Sequence, residues 1–150
     1  MTEAVLDASA VLKWFHRMDE AHADHALALR LAFEAGQLAV YAPPLLFREV
    51  INVAARRWGF AEGSLSELAA RLELLPFELQ EPELERVARW AAKGLTAYDA
   101  AYVAVADELG IVLITDDDLI LRTAPQLAVS IAAAGARLRS EESTDGAPDA

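Results

Sequence analysis

At 150 residues and 55% hydrophobic content, the chain is the size of one domain with a sizeable core. It has no cysteine, which excludes disulfides, zinc–thiolate sites and thiol nucleophiles. A formal net charge of −11 excludes general attraction to a polyanion, so any contact with nucleic acid must be local.

In chain order, residues 4–6 form an apolar run that reads as a strand leading directly into Asp7. Helical spacing follows from about residue 20 to 35, with Leu27 and Leu31 one turn apart and Gly36 as the stop. Residues 38–41 read as a strand, after which Pro43 and Pro44 can open a helix because the first turn does not need proline's missing donor. That helix turns Leu46, Val50, Ile51, Ala54 and Trp58 toward a core and ends at Gly59. Ser64 and Glu67 have capping-box spacing, so another helix is expected to begin there. Residues 74–79 read as a strand whose Pro76 suits an edge position. Pro82 opens a helix with Leu84, Val87, Ala88 and Ala91 on one face, and Thr96 caps the next, which presents Tyr98, Ala101, Tyr102, Val105 and Leu109 before Gly110. Residues 111–114 form a continuous aliphatic run, the pattern of a strand buried on both faces.

Strands alternating with helices predict an α/β domain with a mostly parallel central sheet over residues 1–139. The remaining stretch, residues 140–150, has no apolar side chain larger than alanine and contains four acids; it is expected to be a disordered tail. No apolar run approaches the ~20 residues that span a bilayer, and no basic region precedes an apolar one at the start. A soluble, cytoplasmic protein without membrane contact is therefore expected.

In open α/β sheets ligands bind beyond the carboxyl ends of the strands, and the acidic residues gather there. Asp7 follows the first strand, Asp116, Asp117 and Asp118 follow the aliphatic one, Glu49 lies in the second turn after the strand at 38–41, and Asp99 in the first turn of its helix. Converging carboxylates raise one another's pKa values unless a cation lies between them. Oxygen ligands point to Mg2+ or Mn2+ rather than zinc, and such ions support phosphodiester hydrolysis without a covalent nucleophile.

Each acid also has a plainer reading. Asp99 with Thr96 makes a T-x-x-D cap, Asp7 and Ser9 suit a turn, and at least one of the three consecutive aspartates suits a solvated helix start. Glu49 interrupts an apolar stripe formed with Leu45, Leu46 and Val53, where a solvated glutamate is not expected. His16, His22 and His25 share no metal-like spacing, Trp14, Phe15 and Trp58 suit packing, and Arg48, Arg56 and Arg57 suit a charged helix face.

Assembled, these residues resemble the PIN-domain family, and within it the VapC-type toxins of toxin–antitoxin pairs. The resemblance covers about residues 4–130 and rests on VLDASAVLKWF at the start, P-x-x-x-x-x-E-V-x-N from Pro43 to Asn52, LTAYDAAYVAVA around Asp99, and LGIVLITDDDL. It implies an α/β/α sandwich with Mg2+- or Mn2+-dependent endoribonuclease activity on RNA, commonly homodimeric and held inactive by a small antitoxin protein. It further implies that Asp7 and Asp99 are the principal metal ligands, Glu49 the third acid and Asp117 the fourth, with Ser9 and Thr115 in support. Asp116 and Asp118 rival Asp117, and the first basic residue after this run is Arg122. Lys13 and Arg48 are candidates for RNA contact. Two other classes compete: a PIN-fold interaction module without strong activity, and a phosphatase of the haloacid dehalogenase type. The phosphatase chemistry wants a second aspartate where Ser9 stands.

Overall fold

The computed structural model describes residues 1–15 and 23–146. Among them β1 (Thr2–Leu6), β2 (Leu38–Ala42), β3 (Glu78–Leu79), β4 (Val112–Thr115) and β5 (Ala128–Ser130) form one sheet in the order β3-β2-β1-β4-β5. Every pairing is parallel. Parallel neighbours cannot be joined by hairpins, so each step needs a crossover. Helices α1 (Ala8–Phe15) and α2 (Ala23–Glu34) lie between β1 and β2, α3 (Leu45–Arg56) and α4 (Glu62–Glu73) between β2 and β3, and α5 (Leu84–Ala91) and α6 (Ala97–Leu109) between β3 and β4. Helix α7 (Asp118–Thr123) leads into β5, and α8 (Ile131–Asp145) follows it.

The path runs outward from β1 through β2 to β3, then returns across the sheet to β4. Right-handed crossovers place the helices of these two directions on opposite faces. The packing agrees: α1, α2 and α8 lie together, while α5 and α6 pack on each other and α6 covers β1, β2 and β4. Covered on both sides, the centre of the sheet is apolar, and Ala4, Val5, Leu6 and Leu113 are fully buried. Gly110 ends α6 in the left-handed conformation, φ 67°, that lets the chain turn into β4. The reversal of direction makes the gap between the carboxyl ends of β1 and β4 the topological switch point.

The α/β class and the parallel sheet match the expectation; β3 lies at the sheet edge but comprises only Glu78–Leu79, so the strand expected over residues 74–79 is shorter and Pro76 precedes it. Several local expectations are corrected. Helix α4 begins at Glu62 with Ala61 as its N-cap and no side-chain cap bond, so Ser64 and Glu67 lie inside the helix. On α2 the buried face is Ala26, Leu29 and Ala32, and Leu31 points outward. On α5 Leu84 is 82% exposed while Val87 and Trp90 are buried, because the side facing α6 is set by the bulky indole. Helix α8 continues through Asp145, so the expected tail is helical up to there and the boundary at residue 139 falls within the helix. Residues 139–146 are all exposed. Local bonds carry the turn instead: Arg137 pairs with Glu141 at 3.3 Å, and the Ser140, Ser143 and Thr144 hydroxyls donate to carbonyls one turn back. His16, His22 and the start of the helix expected from residue 20 lie outside the described residues. Among the described residues no helix is long and apolar enough to cross a membrane.

Candidate functional site

Asp7 is the first residue after β1 and is only 5% exposed. Among the described residues, tyrosine and tryptophan aside, it and Thr115 are the only polar or charged residues in the buried class, and they bond to each other, the Thr115 hydroxyl donating to Asp7 Oδ2. Ser9 Oγ donates to Asp7 Oδ1 at 2.5 Å, and the Ala10 amide donates to the same oxygen at 3.3 Å. Asp7 thus caps the first turn of α1 while sitting between the ends of two central strands. Burial raises its pKa from the ordinary 3.8 to about 6; the Ser9, Thr115 and Ala10 bonds oppose the rise, and the charge of Asp117 adds to it.

The two hydroxyls also reach the loop after β4. The Asp116 amide donates to Ser9 Oγ at 3.0 Å, and the Asp117 amide donates to Thr115 Oγ1 at 2.9 Å. Each hydroxyl therefore gives its proton to Asp7 and accepts one from the backbone beside it, which fixes the carboxylate and the loop together.

Glu49, in the second turn of α3, is half-buried, and its Oε2 accepts a bond from the Tyr102 hydroxyl at 3.1 Å. Burial lifts its pKa from 4.5 to about 7; the Tyr102 bond works against this, while the charges of Asp99 and Asp7 reinforce it. Asp99 lies in the first turn of α6, where its amide donates to the capping Thr96 Oγ1 at 3.1 Å. The cap uses the Asp99 backbone and leaves the carboxylate for the cleft, so the two readings coexist. Its pKa is raised, first by burial and then by Asp117.

Asp7, Ala8, Ser9, Glu49, Asp99, Tyr102, Asp116 and Asp117 line one cleft of about 280 Å3. Of the three consecutive aspartates, Asp116 and Asp117 line the cleft. Asp118 is exposed and does not line the cleft. Asp116 lines it but pairs with Lys13 at 3.6 Å. Asp117 caps α7 by accepting from the Ile120 amide at 2.9 Å, and its charge acts on both Asp7 and Asp99.

The remaining expectations divide. Lys13 reaches the edge of the site through Asp116, whereas Arg48 and Arg56 line a separate groove between α3 and α4. Trp14 is packed, stacked on Phe33 at 5.6 Å with its indole N–H on the Ala26 carbonyl. Phe15 lies beneath Arg71, and Trp58 packs against Phe60. The residue that sequence reasoning placed only on a helix face is Tyr102. Its spacing of one turn from Asp99 was the available signal.

The donor set, carboxylates with hydroxyls behind them and no sulfur, has the chemistry of a site for a hard divalent ion. The raised proton affinities of Asp7, Glu49 and Asp99 record the desolvation and mutual repulsion that a cation would offset. Among the described residues no three acidic or histidine side chains are already grouped as metal ligands; the carboxylates line the cleft without closing on one point.

The sequence profile of the PIN domain matches residues 4–125. The chain is also similar to a solved structure, the crystal structure of PAE2754 from Pyrobaculum aerophilum, with a TM-score of 0.66 and 27% identity over 93% of this chain and 96% of that one. No curated protein matches the sequence.

Proposed function

The chain belongs to the PIN-domain family, a nuclease-type fold, and from that premise we propose that its acidic cleft hydrolyses RNA phosphodiesters with the help of Mg2+ or Mn2+. The observation that carries this reading is the convergence of Asp7, Glu49, Asp99 and Asp117 on one cleft at the switch point of the sheet. Asp7 and Asp99 act as the principal ligands, with Glu49 and Asp117 completing the set. Because the carboxylates line the cleft without closing on a point, binding would draw them inward. When bound, the ion supplies charge neutralisation at the phosphate and a more acidic water.

The chain's own residues do the rest. Ser9 and Thr115 hold Asp7 so that it cannot rotate away from the cleft. Asp117, which lines the same cleft, would accept the proton of the attacking water. Lys13, held at the rim by Asp116, brings a positive charge toward an incoming phosphate in an otherwise acidic neighbourhood. The net charge of −11 fits a nuclease that selects RNAs by local contact rather than by general attraction.

The biological role we propose is that of a VapC-type toxin, acting as a homodimer and restrained by a small antitoxin whose basic side chains meet the acidic rim. The direct test is cleavage of structured cellular RNA in Mg2+ and in chelator by wild type, Asp7→Asn and Asp99→Asn. Cleavage is expected only from wild type with the ion, and undiminished cleavage in chelator or by both variants overturns the mechanism. A small reading frame beside the gene, whose co-expression relieves growth arrest, is the expected sign of the toxin role; growth unaffected by expression of the chain alone counts against it. The spread of the carboxylates favours a second reading, an interaction module with weak or no nuclease activity. Absence of Mn2+ binding by calorimetry decides for it.

A further inference from the structure

Tyr102 lies in the stretch of α6 from Ala100 to Ala106 that is buried throughout, and packing alone accounts for its ring. Packing does not account for its hydroxyl. A tyrosine only 1% exposed must find a partner for its O–H, and this one reaches across to another helix and donates to Glu49 Oε2 at 3.1 Å. Tyr102 stands one turn beyond Asp99 on the same helix, so the bond ties the helix that carries Asp99 to the helix that carries Glu49. Both members of the pair line the acidic cleft.

Resting on the metal-dependent reading above, we propose that Tyr102 is a positioning residue of the cleft: its hydroxyl commits Glu49 Oε2 and so presents Oε1 to a divalent cation. Glu49 is a long, half-buried side chain at the wall of the cleft, and without a fixed donor it would sample several rotamers, each costing ordering entropy when a ligand binds. A phenol keeps its proton across the working pH range, so it remains a donor there. The fold contains an internal control for the chemistry. Tyr41 donates to Glu3 at 3.2 Å in an exposed pair that does not line the cleft.

The test is Mn2+ titration by calorimetry on wild type, Tyr102→Phe, Glu49→Gln, the double variant and Tyr41→Phe, with thermal melts of the metal-free proteins alongside. Tyr102→Phe is expected to weaken Mn2+ binding about tenfold with its melting temperature near that of wild type. It should add nothing once Glu49 is already Gln, and Tyr41→Phe should bind as wild type does. A merely structural tyrosine would move the melt and leave that cycle additive. Wild-type affinity in Tyr102→Phe, or a loss that persists undiminished in the Glu49→Gln background, overturns the positioning role and leaves the metal-dependent reading standing. No Mn2+ binding by wild type overturns that reading and the positioning role with it. If Tyr102→Phe does not fold, protein labelled with 3-fluorotyrosine replaces it. The Tyr102 resonance, assigned by removing Tyr41 and Tyr98 in turn, should shift on adding Mg2+ in wild type and not in Glu49→Gln. An unmoved resonance in wild type, or the same shift in both, overturns the proposal.

Discussion

Helix α1 joins two regions built on opposite principles. At its start, Asp7 and Ser9 belong to a cleft in which Asp7, Glu49 and Asp99 all hold their protons more tightly than they would in water. At its end, Trp14 stacks on Phe33 at 5.6 Å and meets Phe77 edge-on at 6.0 Å, while its indole N–H and carbonyl are both bonded, the latter to Arg30. Phe33 and Phe47 lie 5.2 and 6.1 Å from Phe77, which extends the cluster. The aromatic end gains from every group it buries. The acidic end loses from burying charge, and the loss is compatible with folding because the rest of the core offsets it. Stability and function thus separate along about two turns of one helix.

Substitutions at the two ends should therefore dissociate. The largest expected effect is on turnover: Asp7→Asn lowers RNA cleavage by at least about 100-fold in a steady-state assay, while its urea midpoint without metal at neutral pH is no lower than that of wild type. A large drop in stability from Asp7→Asn would show that the carboxylate is a structural strut. Trp14→Ala is the converse, costing about 3–5 kcal/mol in equilibrium unfolding. The aromatic cluster would be incidental if that cost were under about 1 kcal/mol.

Next in size is the dependence on pH. Asp7 and Glu49 bind protons more tightly folded than unfolded, so the stability they contribute is present below the unfolded pKa values and is lost as pH rises through the folded ones. Metal-free protein should lose stability between about pH 4 and 7, on the order of 3 kcal/mol from Asp7 alone. Mn2+ should restore it at the upper end, and Asp7→Asn should flatten the slope. Melting temperatures flat across this range would remove the electrostatic half of the comparison. The smallest effect belongs to Gly135 on α8, where an added Cβ would stand 2.7 Å from the His25 Cα and carbonyl oxygen of α2. Gly135→Ala should destabilise by about 1–3 kcal/mol, because the clash with backbone outweighs the roughly 1 kcal/mol that alanine gains in a helix. A more stable Gly135→Ala protein would mean that α2 and α8 part easily.

How much could be read from residues alone varies by element. The strands at the centre were legible because an apolar run ending in Asp7 or in three aspartates has few other readings. Helix α1 was not, since ASAVLKWF is apolar on both sides and buries four of its residues at two different ends of the fold. Strand β5 is three residues long and α8 buries only Ile131 and Gly135, so neither has a period to detect. Leu84 shows the limit of periodicity, for a leucine at helical spacing was outbid by Trp90 for the face against α6.

The sequence by itself determined the chemistry of the site: acids without sulfur ligands, placed after strands of a parallel sheet, where the chain must change direction and leave an open edge. Only the tertiary structure decided which acids line the cleft and what each one faces. Asp116, Asp117 and Asp118 are adjacent and chemically identical, and they differ in what stands opposite: Lys13 for the first, the Ile120 amide and the charges of Asp7 and Asp99 for the second, solvent for the third. The Tyr102 hydroxyl likewise acquires a role only when α3 is brought against it, 53 residues away in sequence. A side chain's type is local information, whereas its partner is set by packing.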